Sequence, residues 1–598
     1  MESQLPHAVF ERRLRAVIAR VLPEADPATV QVRACPDPRH GDYQCPGFIA
    51  MARELRRNPR ELATAVAVAY AALREEDGGL PVESGLQVEV AGPGFLNIRL
   101  SPGAVVAAVH EAAAGTFFER TAKSRTVVVD FSSPNIAKPM HVGHIRSTVL
   151  GDCLSRVFRA LGHRVITDNH LGDWGTQFGK LLVAWKHQLD AGALERDPIA
   201  ELERLYRAEN SAGEADPSRL DLARRELVAL QSGDPENLAI WREMIRRSQD
   251  QFDLIYGRLG VRFDHTLGES YYNPQLPGIV EALLAAGIAR ESDGAVAVFS
   301  DGSPPPKEDP FLVNRDGEWV ADPALVRKRD GGFNYTTTDL ATLDHRVRTW
   351  APDEILYVVD DRQAPHFRKL FRVFERWQPE AAARTSLRHI GFGKILGDDG
   401  RPFRTRSGDT IRLGDLLDEA EDRARRLVDG KRPDLPEATR REIARIVGIG
   451  AVKYQDLLPN RQSDYVFSWD KMLSLTGNTA PYLQYQCTRA RKVVADGGAA
   501  DPGRWLHAVP TAPGELALLK HLLLYGPTLE AVAAECRPNY LCNHLYELAG
   551  HYSRFYESCP VLRAEEPSRS LRLSLCDHTA RVLSHGLQLL GIESPTVM

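Results

Sequence analysis

Val127-Val128-Val129-Asp130-Phe131, then Ser132-Ser133-Pro134-Asn135, then His141-Val142-Gly143-His144-Ile145-Arg146-Ser147-Thr148-Val149-Leu150 is the stretch that decides the fold. A β-branched apolar run, a polar loop and a capped segment read as strand, turn and helix, with two imidazoles and a residue without a side chain at the helix start. Such a start suits an anion. Unpaired amides and the positive end of the helix dipole attract phosphate, imidazole N–H groups can add donors, and Gly143 lets a flat nucleobase approach the backbone. Two histidines beside a helix cap by chance is the plain alternative, so the context has to decide.

That context is a pair of parallel half-sheets. The first half continues past Leu161 and Gly162 into a strand at Arg164-Val165-Ile166-Thr167-Asp168. The second reads as Phe333-Asn334-Tyr335-Thr336, a helix over Leu340 to Trp350, a strand at Glu354-Ile355-Leu356-Tyr357-Val358-Val359, a helix over His366 to Trp377, and a strand at Leu387 to Ile395. Two βαβ halves around a long insertion imply a multidomain α/β chain with a split doubly wound, Rossmann-like parallel-sheet catalytic domain. The expected boundaries are 119–411, with an insertion at about 180–325 that is helical at first and has a loop at Pro304-Pro305-Pro306. Residues 1–118 alternate helical (Phe10 to Val21, Glu61 to Leu73) and strand-like runs (Val30-Gln31-Val32, Leu86 to Val90, and Phe95 to Ile98 after the turn Ala91-Gly92-Pro93-Gly94), an N-terminal α+β domain. Beyond 412 the pattern is helical, broken only near 430–436, 497–502 and 565–568, which predicts a C-terminal all-helical bundle over 412–598.

Bulk properties agree with several domains. The chain has 598 residues, 43% hydrophobic and 26% charged, too long for one core and ordinary for a water-soluble protein. Met1 to Arg20 carries Glu11 and several arginines and no cleavage-like site, and no apolar run looks long enough to span a membrane, so a cytoplasmic chain is expected. The eight cysteines never form a C-x-x-C pair, which implies reduced thiols and no structural zinc. A net charge of −5 decides little about RNA, because contact with phosphates depends on local basic surface.

Neither a G-x-x-x-x-G-K-[ST] loop nor a G-x-G-x-x-G after a strand is present, so any ATP must sit at the histidine-bearing helix start. A cationic loop, Gly400-Arg401-Pro402-Phe403-Arg404-Thr405-Arg406-Ser407-Gly408, could close over a polyphosphate as charge builds on a leaving pyrophosphate, or be a solvated basic turn. Farther on, Tyr482, Gln484 and Tyr485 precede Arg489, Arg491 and Lys492, combining aromatic faces and cations as unstacked bases and phosphates require. Of the rings Tyr540, Tyr546, Tyr552, Phe555 and Tyr556, most are expected in the core and one or two at an RNA surface.

Ser133-Pro134-Asn135-Ile136-Ala137-Lys138-Pro139-Met140-His141-Val142-Gly143-His144 and Leu171-Gly172-Asp173-Trp174-Gly175-Thr176-Gln177-Phe178-Gly179 resemble the arginyl-tRNA synthetases, a class I aminoacyl-tRNA synthetase family. So do Tyr335-Thr336-Thr337-Thr338-Asp339-Leu340-Ala341, Phe403 to Gly408, and Gly477-Asn478-Thr479-Ala480-Pro481-Tyr482-Leu483-Gln484-Tyr485, and the likeness runs from Gly41 to the carboxyl terminus. The resemblance implies ATP-dependent attachment of L-arginine to tRNA(Arg) through arginyl-adenylate, with Mg²⁺ accompanying the nucleotide and, in many members, tRNA needed before adenylate forms. It implies that His141, Gly143 and His144 hold ATP with Arg404, Thr405 and Arg406, and that Asn135, Glu269, Tyr335, Asp339 and Gln363 bind arginine. The mobile loop of class I enzymes carries two lysines; here Thr405 stands where the second falls. By resemblance Lys138, three residues ahead of His141, replaces it, and Lys138, His141, His144 and Arg406 are the expected catalytic groups. The helical bundle would read the anticodon through Tyr482, Gln484, Tyr485, Arg489 and Arg491, and residues 1–118 would touch the outer corner of the tRNA. A monomer with no membrane partner is expected. The alternatives are a non-catalytic tRNA-binding relative and a nucleotidylyltransferase with a small acceptor.

Overall fold

Four parallel strands carry the site in the computed structural model, which describes residues 5–37, 39–121, 123–403, 411–498 and 502–598. Strand β1 (Thr126–Asp130) leads through helix α1 (Val142–Ala160) to β2 (Arg164–Asp168); after the insertion come α2 (Tyr335–Trp350), β3 (Glu354–Tyr357), α3 (Ala364–Trp377) and β4 (Ser386–His389). The order is β4-β3-β1-β2, parallel throughout. Val127, Val128, Val129, Ile355 and Leu356 are fully buried, the continuous apolar pattern of a sheet covered on both faces. Chain order reverses between β1 and β3, so the loops that follow these two strands flank a crevice at the carboxyl edge, where ligands of such sheets sit.

The last residues of the strands lie side by side: Asp168, Asp130, Tyr357 and His389 share one row. Arg346 of α2 is completely buried beneath it, donating to Asp130 Oδ2 at 2.7 Å and Asp168 Oδ2 at 2.8 Å, with its guanidinium carbon 5.4 Å from the Tyr357 ring centre. Burial alone would lower the guanidinium's pKa, but the Asp130 and Asp168 charges outweigh it and hold it well above its ordinary value. The chain between β1 and α1 is equally constrained. Ser132, Ser133 and Ala137 all adopt positive φ (74°, 47° and 62°), a conformation unfavourable for residues with a Cβ. Each is pinned through its backbone amide, to Ser147 Oγ (2.8 Å), Asn169 Oδ1 (3.0 Å) and Ser248 Oγ (3.1 Å) respectively.

Several details differ from the sequence reading. Phe333–Thr336 is not a strand: the Asn334 side chain accepts from the Tyr335 amide and caps α2, which starts at Tyr335, so the second half-sheet has two strands instead of three. The preceding strand, Ala324–Arg327, belongs to a separate antiparallel sheet with Ala295–Val298 and Ala289–Ser292 at the end of the insertion. The strand expected at Val30–Val32 is a pair of residues, Arg33–Ala34. The helical carboxyl region is also interrupted beyond Leu457, where Tyr465–Val466 pairs in parallel with Ile395–Leu396.

By contacts the chain divides into two units: Ala122–Ala424 with Gln455–Trp469, and Met1–Thr121 with Arg425–Tyr454 and Asp470–Met598. In the second, Arg33–Ala34, Tyr43–Cys45, Phe95–Arg99 and Gln87–Ala91 form an antiparallel sheet in that order. It is joined with helices that include Ala480–Gly497, Asn539–Ser558 and Ser568–Leu589. One segment there, Pro513–Glu535, is long and apolar enough to cross a membrane by length and composition, contrary to expectation. Its Leu518, Leu519, Leu522 and Leu529 are buried within the unit, as in a core helix.

Arg346→Met is expected to destabilise the catalytic unit by about 3–5 kcal/mol, because two carboxylates would lose their buried counter-charge. Urea or thermal unfolding measures this, and an unchanged midpoint would remove the anchoring role given to this residue.

Candidate active site

Helix α1 begins with a reciprocal cap built from its two histidines. The Gly143 amide donates to Nδ1 of His141 at 3.1 Å, and the His141 amide donates to Nδ1 of His144 at 3.0 Å. The rings lie 4.0 Å apart, and a Cβ at residue 143 would stand 2.9 Å from His141 Cε1, so only glycine leaves that ring in place. This corrects the expectation of unpaired amides at the helix start: Val142 N also has a partner, Ile411 O at 3.0 Å, and His144 N donates to His141 O at 2.8 Å. What remains for a ligand is the helix dipole and the rings themselves.

Both imidazoles are held neutral. Burial, then the His141 charge, takes the His144 pKa down to about 3; burial and Lys138 lower that of His141. A neutral ring whose Nδ1 accepts a hydrogen bond carries its proton on Nε2. Each histidine therefore offers one N–H donor and no charge.

His141 and Gly143 line an open cavity of about 300 Å³ with Arg146, Asp360, Arg362 and Lys394, its apolar side formed by Phe392, Pro402 and Phe403. Arg146 is buried and held by Asp456 (3.1 Å) and by the carbonyls of Gly393 (2.9 Å) and Ser463 (3.2 Å). Arg362 pairs with Asp360 at 2.9 Å. Three cations, the His141 ring donor and a helix start in one pocket, with the His144 ring 4.0 Å from that of His141, suit a polyphosphate. Lys138 is exposed on the same loop, its ammonium 5.2 Å from the centre of the Tyr206 ring. Arg404, Thr405 and Arg406 lie outside the described residues.

A second subsite is acidic. Glu269 opens the short helix Glu269–Tyr272, its amide donating to Leu171 O at 3.0 Å. Its neighbour Ser270 donates to Asp173 from N (2.8 Å) and from Oγ (2.6 Å). Burial, then the Asp339 and Asp173 charges, raises the Glu269 pKa to about 8, which puts the three carboxyl groups in one acidic neighbourhood. Burial also raises Asp173. Asp339 lies seven residues before Arg346 on α2, hence on the same helix face, and the buried Arg346 aims it at the carboxyl edge of the sheet. Tyr335 is exposed one turn earlier, and Gln363 is exposed at the cap of α3. Asn135 bridges in parallel to Gly172, its Oδ1 lying where a side chain at 172 would be. Loop 131–141 thus runs from the acidic subsite at Asn135, past Lys138, to the cationic one at His141.

The sequence reading missed His366, which meets Asp339 at 2.6 Å, and Asp173 with Ser270, Arg362 and Lys394. Asp173 stood in a quoted motif and could have been found; the others fall outside the motifs and became visible only through packing.

In the other unit, Arg489 stands over the Tyr556 ring at 3.9 Å, Tyr485 is exposed, and Tyr482 meets Tyr546 edge-on at 5.8 Å. Arg491 donates to Ser584 Oγ at 2.6 Å. Gln484 is a correction: it is fully buried and its amide donates to the carbonyls of Glu593 (2.8 Å) and Ile446 (3.3 Å), a structural role that leaves no surface for a nucleotide. Tyr552 and Phe555 are core residues.

A family model described as tRNA synthetases class I (R), catalytic domain, matches residues 108–469, and an arginine–tRNA ligase of Frankia casuarinae is 44% identical over 98% of both chains. This chain belongs to the arginyl-tRNA synthetase family. The arginyl tRNA synthetase N terminal domain matches residues 8–100, and the DALR anticodon binding domain matches 483–598. The arginine–tRNA ligase of Escherichia coli K12 is 43% identical over 98% of each chain. The arginyl-tRNA synthetase structures of Plasmodium falciparum and Thermus thermophilus share the fold, each with a TM-score of 0.81 at 24% identity, over 100% and 99% of this chain and all of theirs.

In a member of this family with such a cap, the His144 ring should stay neutral well below pH 6. Selectively labelled histidine followed by NMR checks this, and a His144 midpoint near the ordinary value of about 6.5 would dismiss the reciprocal cap.

Proposed function

We propose that the crevice between β1 and β3 activates arginine with ATP and passes it to tRNA. A carboxylate oxygen of arginine attacks the α-phosphorus, the bond to pyrophosphate breaks, and a terminal ribose hydroxyl then takes the arginyl group and releases AMP. The observation that carries this reading is the pairing of subsites along one loop: acids around Glu269 and Asp339, cations and ring donors around His141. A guanidinium with five donors is matched by carboxylates, and a polyphosphate by the cationic cavity.

In this reading the Nε2–H groups of His141 and His144 donate to the nucleotide, and Gly143 keeps the His141 ring seated. Lys138 brings its ammonium to the α-phosphate as charge builds there, a displacement that needs positioning and charge neutralisation more than a covalent nucleophile. Arg404, Thr405 and Arg406 would close over the phosphates. Mg²⁺ would accompany the nucleotide; among the described residues no group of three or more His, Cys, Asp or Glu side chains gathers as a metal site. Asn135, Tyr335 and Gln363 would complete the arginine pocket. Residues 119–411 are taken as the catalytic domain, 1–118 as the part touching the outer corner of tRNA(Arg), and 412–598 as the anticodon reader, with Tyr482, Tyr485, Arg489 and Arg491 as its contacts. We take the chain as a cytoplasmic monomer.

Charging a mixed tRNA pool with each amino acid in turn tests the whole reading: arginine alone should be attached. Lys138→Ala should cost about 3 kcal/mol of transition-state stabilisation, a fall of roughly a hundredfold in single-turnover activation; a near-normal rate would remove its role.

The arginine KM should depend on pH. Glu269, with a pKa of about 8 in the empty pocket, is mostly protonated at pH 7, whereas the guanidinium favours its carboxylate. Arginine binding therefore releases a proton and strengthens as pH rises, by up to about tenfold per unit below that pKa, and levels off above it. Glu269→Gln should flatten the profile, and a flat profile in the unaltered protein would contradict the assignment.

A further inference from the structure

His366 lies among the proposed arginine contacts. Its Nε2 is 2.6 Å from Asp339 Oδ2, and its ring meets that of Tyr335 edge-on with centroids 4.8 Å apart. It follows Gln363 by three positions at the start of α3, so these two side chains leave the same side of that helix. One imidazole therefore touches two side chains assigned to arginine and stands a turn from a third. Its side chain is 13% exposed, so it is held in place by its surroundings and not by solvent.

Asp339 needs such a partner. Its charge, with that of Asp173, raises the Glu269 pKa, so Asp339 is the carboxylate of the pair that stays ionised near a protonated neighbour, and it has to be aimed by something else. A side chain with two rotatable bonds and no fixed contact would point elsewhere until the guanidinium arrived, and ordering it then would weaken binding. Geometry and charge together call for a fixed donor on one oxygen.

We propose that His366 is a positioning residue for arginine: it fixes the Asp339 carboxylate through Oδ2, leaving Oδ1 for the guanidinium, and props the Tyr335 ring against the same ligand. The inference rests on the reading of Glu269 and Asp339 as the arginine pocket. Asp339 then offers one oxygen and Glu269 supplies the second contact, so the guanidinium is shared between two helices. A lysine ammonium at the same place is a point charge that cannot reach both acids in this fork geometry.

The test compares His366→Ala, His366→Gln, His366→Phe and Asp339→Asn in the full chain with tRNA present, measuring arginine KM, ATP KM and kcat. His366→Ala should raise the arginine KM about tenfold, the effect of losing one charge-assisted hydrogen bond, with ATP KM and kcat within twofold. His366→Gln, whose amide can donate to Oδ2, should recover most of the loss. His366→Phe keeps the ring packing without the donor and should resemble His366→Ala, which separates positioning from folding should the alanine variant prove unstable. If Asp339→Asn raises the arginine KM while the alanine and phenylalanine variants leave it alone, the role of His366 is overturned and the pocket stands. Equal losses for arginine and ATP would overturn it too. An unchanged arginine KM in Asp339→Asn would overturn the pocket reading and the proposal with it.

Discussion

A single buried guanidinium organises the carboxyl edge of the sheet. Arg346 binds Asp130 and Asp168, which end adjacent strands, and faces Tyr357 on the third. Two carboxylates side by side in an apolar interior would repel each other and draw in water; one cation between them turns that repulsion into a clamp. The clamp also fixes α2 in rotation and height. Everything α2 presents at its amino end, Tyr335 and Asp339 included, is aimed by a charge two to three turns away.

The loop between β1 and α1 answers the same constraint from the other side. Its three left-handed residues would be unfavourable in isolation and persist because side chains from α1, from the segment after β2 and from the insertion each hold one amide. A rigid loop can carry two chemistries without blurring them. The acids gather at one end, where burial and mutual repulsion keep Glu269 protonated, and neutral imidazoles sit at the other. Neutrality has a use there: an uncharged N–H can bind a phosphate oxygen without a proton being lost or gained as the phosphate charge changes.

Much of this was legible in the sequence, and for identifiable reasons. The run Val127–Val129 and the capped segment after it announced strand and helix through local preferences, and long motifs announced the family. Phe333–Thr336 was misread because β-branched and aromatic residues favour strands, while the Asn334 cap that starts α2 is a single side chain. Gln484 was misread because a polar residue between two tyrosines resembles a recognition surface, and only the carbonyls of Glu593 and Ile446, distant in sequence, reveal it as structural. His366 carried no local signal, since its meaning lies in a contact 27 residues away. Arg346 is the same case at greater range: its two carboxylate partners precede it by 216 and 178 residues.

The division of the chain into interleaved units bears on its biosynthesis. Residues up to Thr121 emerge first, yet their unit also includes residues 425–454 and 470–598, with Lys520 bound to Asp42 at 2.7 Å and Arg581 donating to the carbonyl of Ala113. At typical ribosomal speeds the amino-terminal segment waits roughly 15 to 60 s for those partners to begin arriving. The face of that segment destined for Lys520 and its neighbours is meanwhile uncovered on the nascent polypeptide, and the finished enzyme no longer displays it.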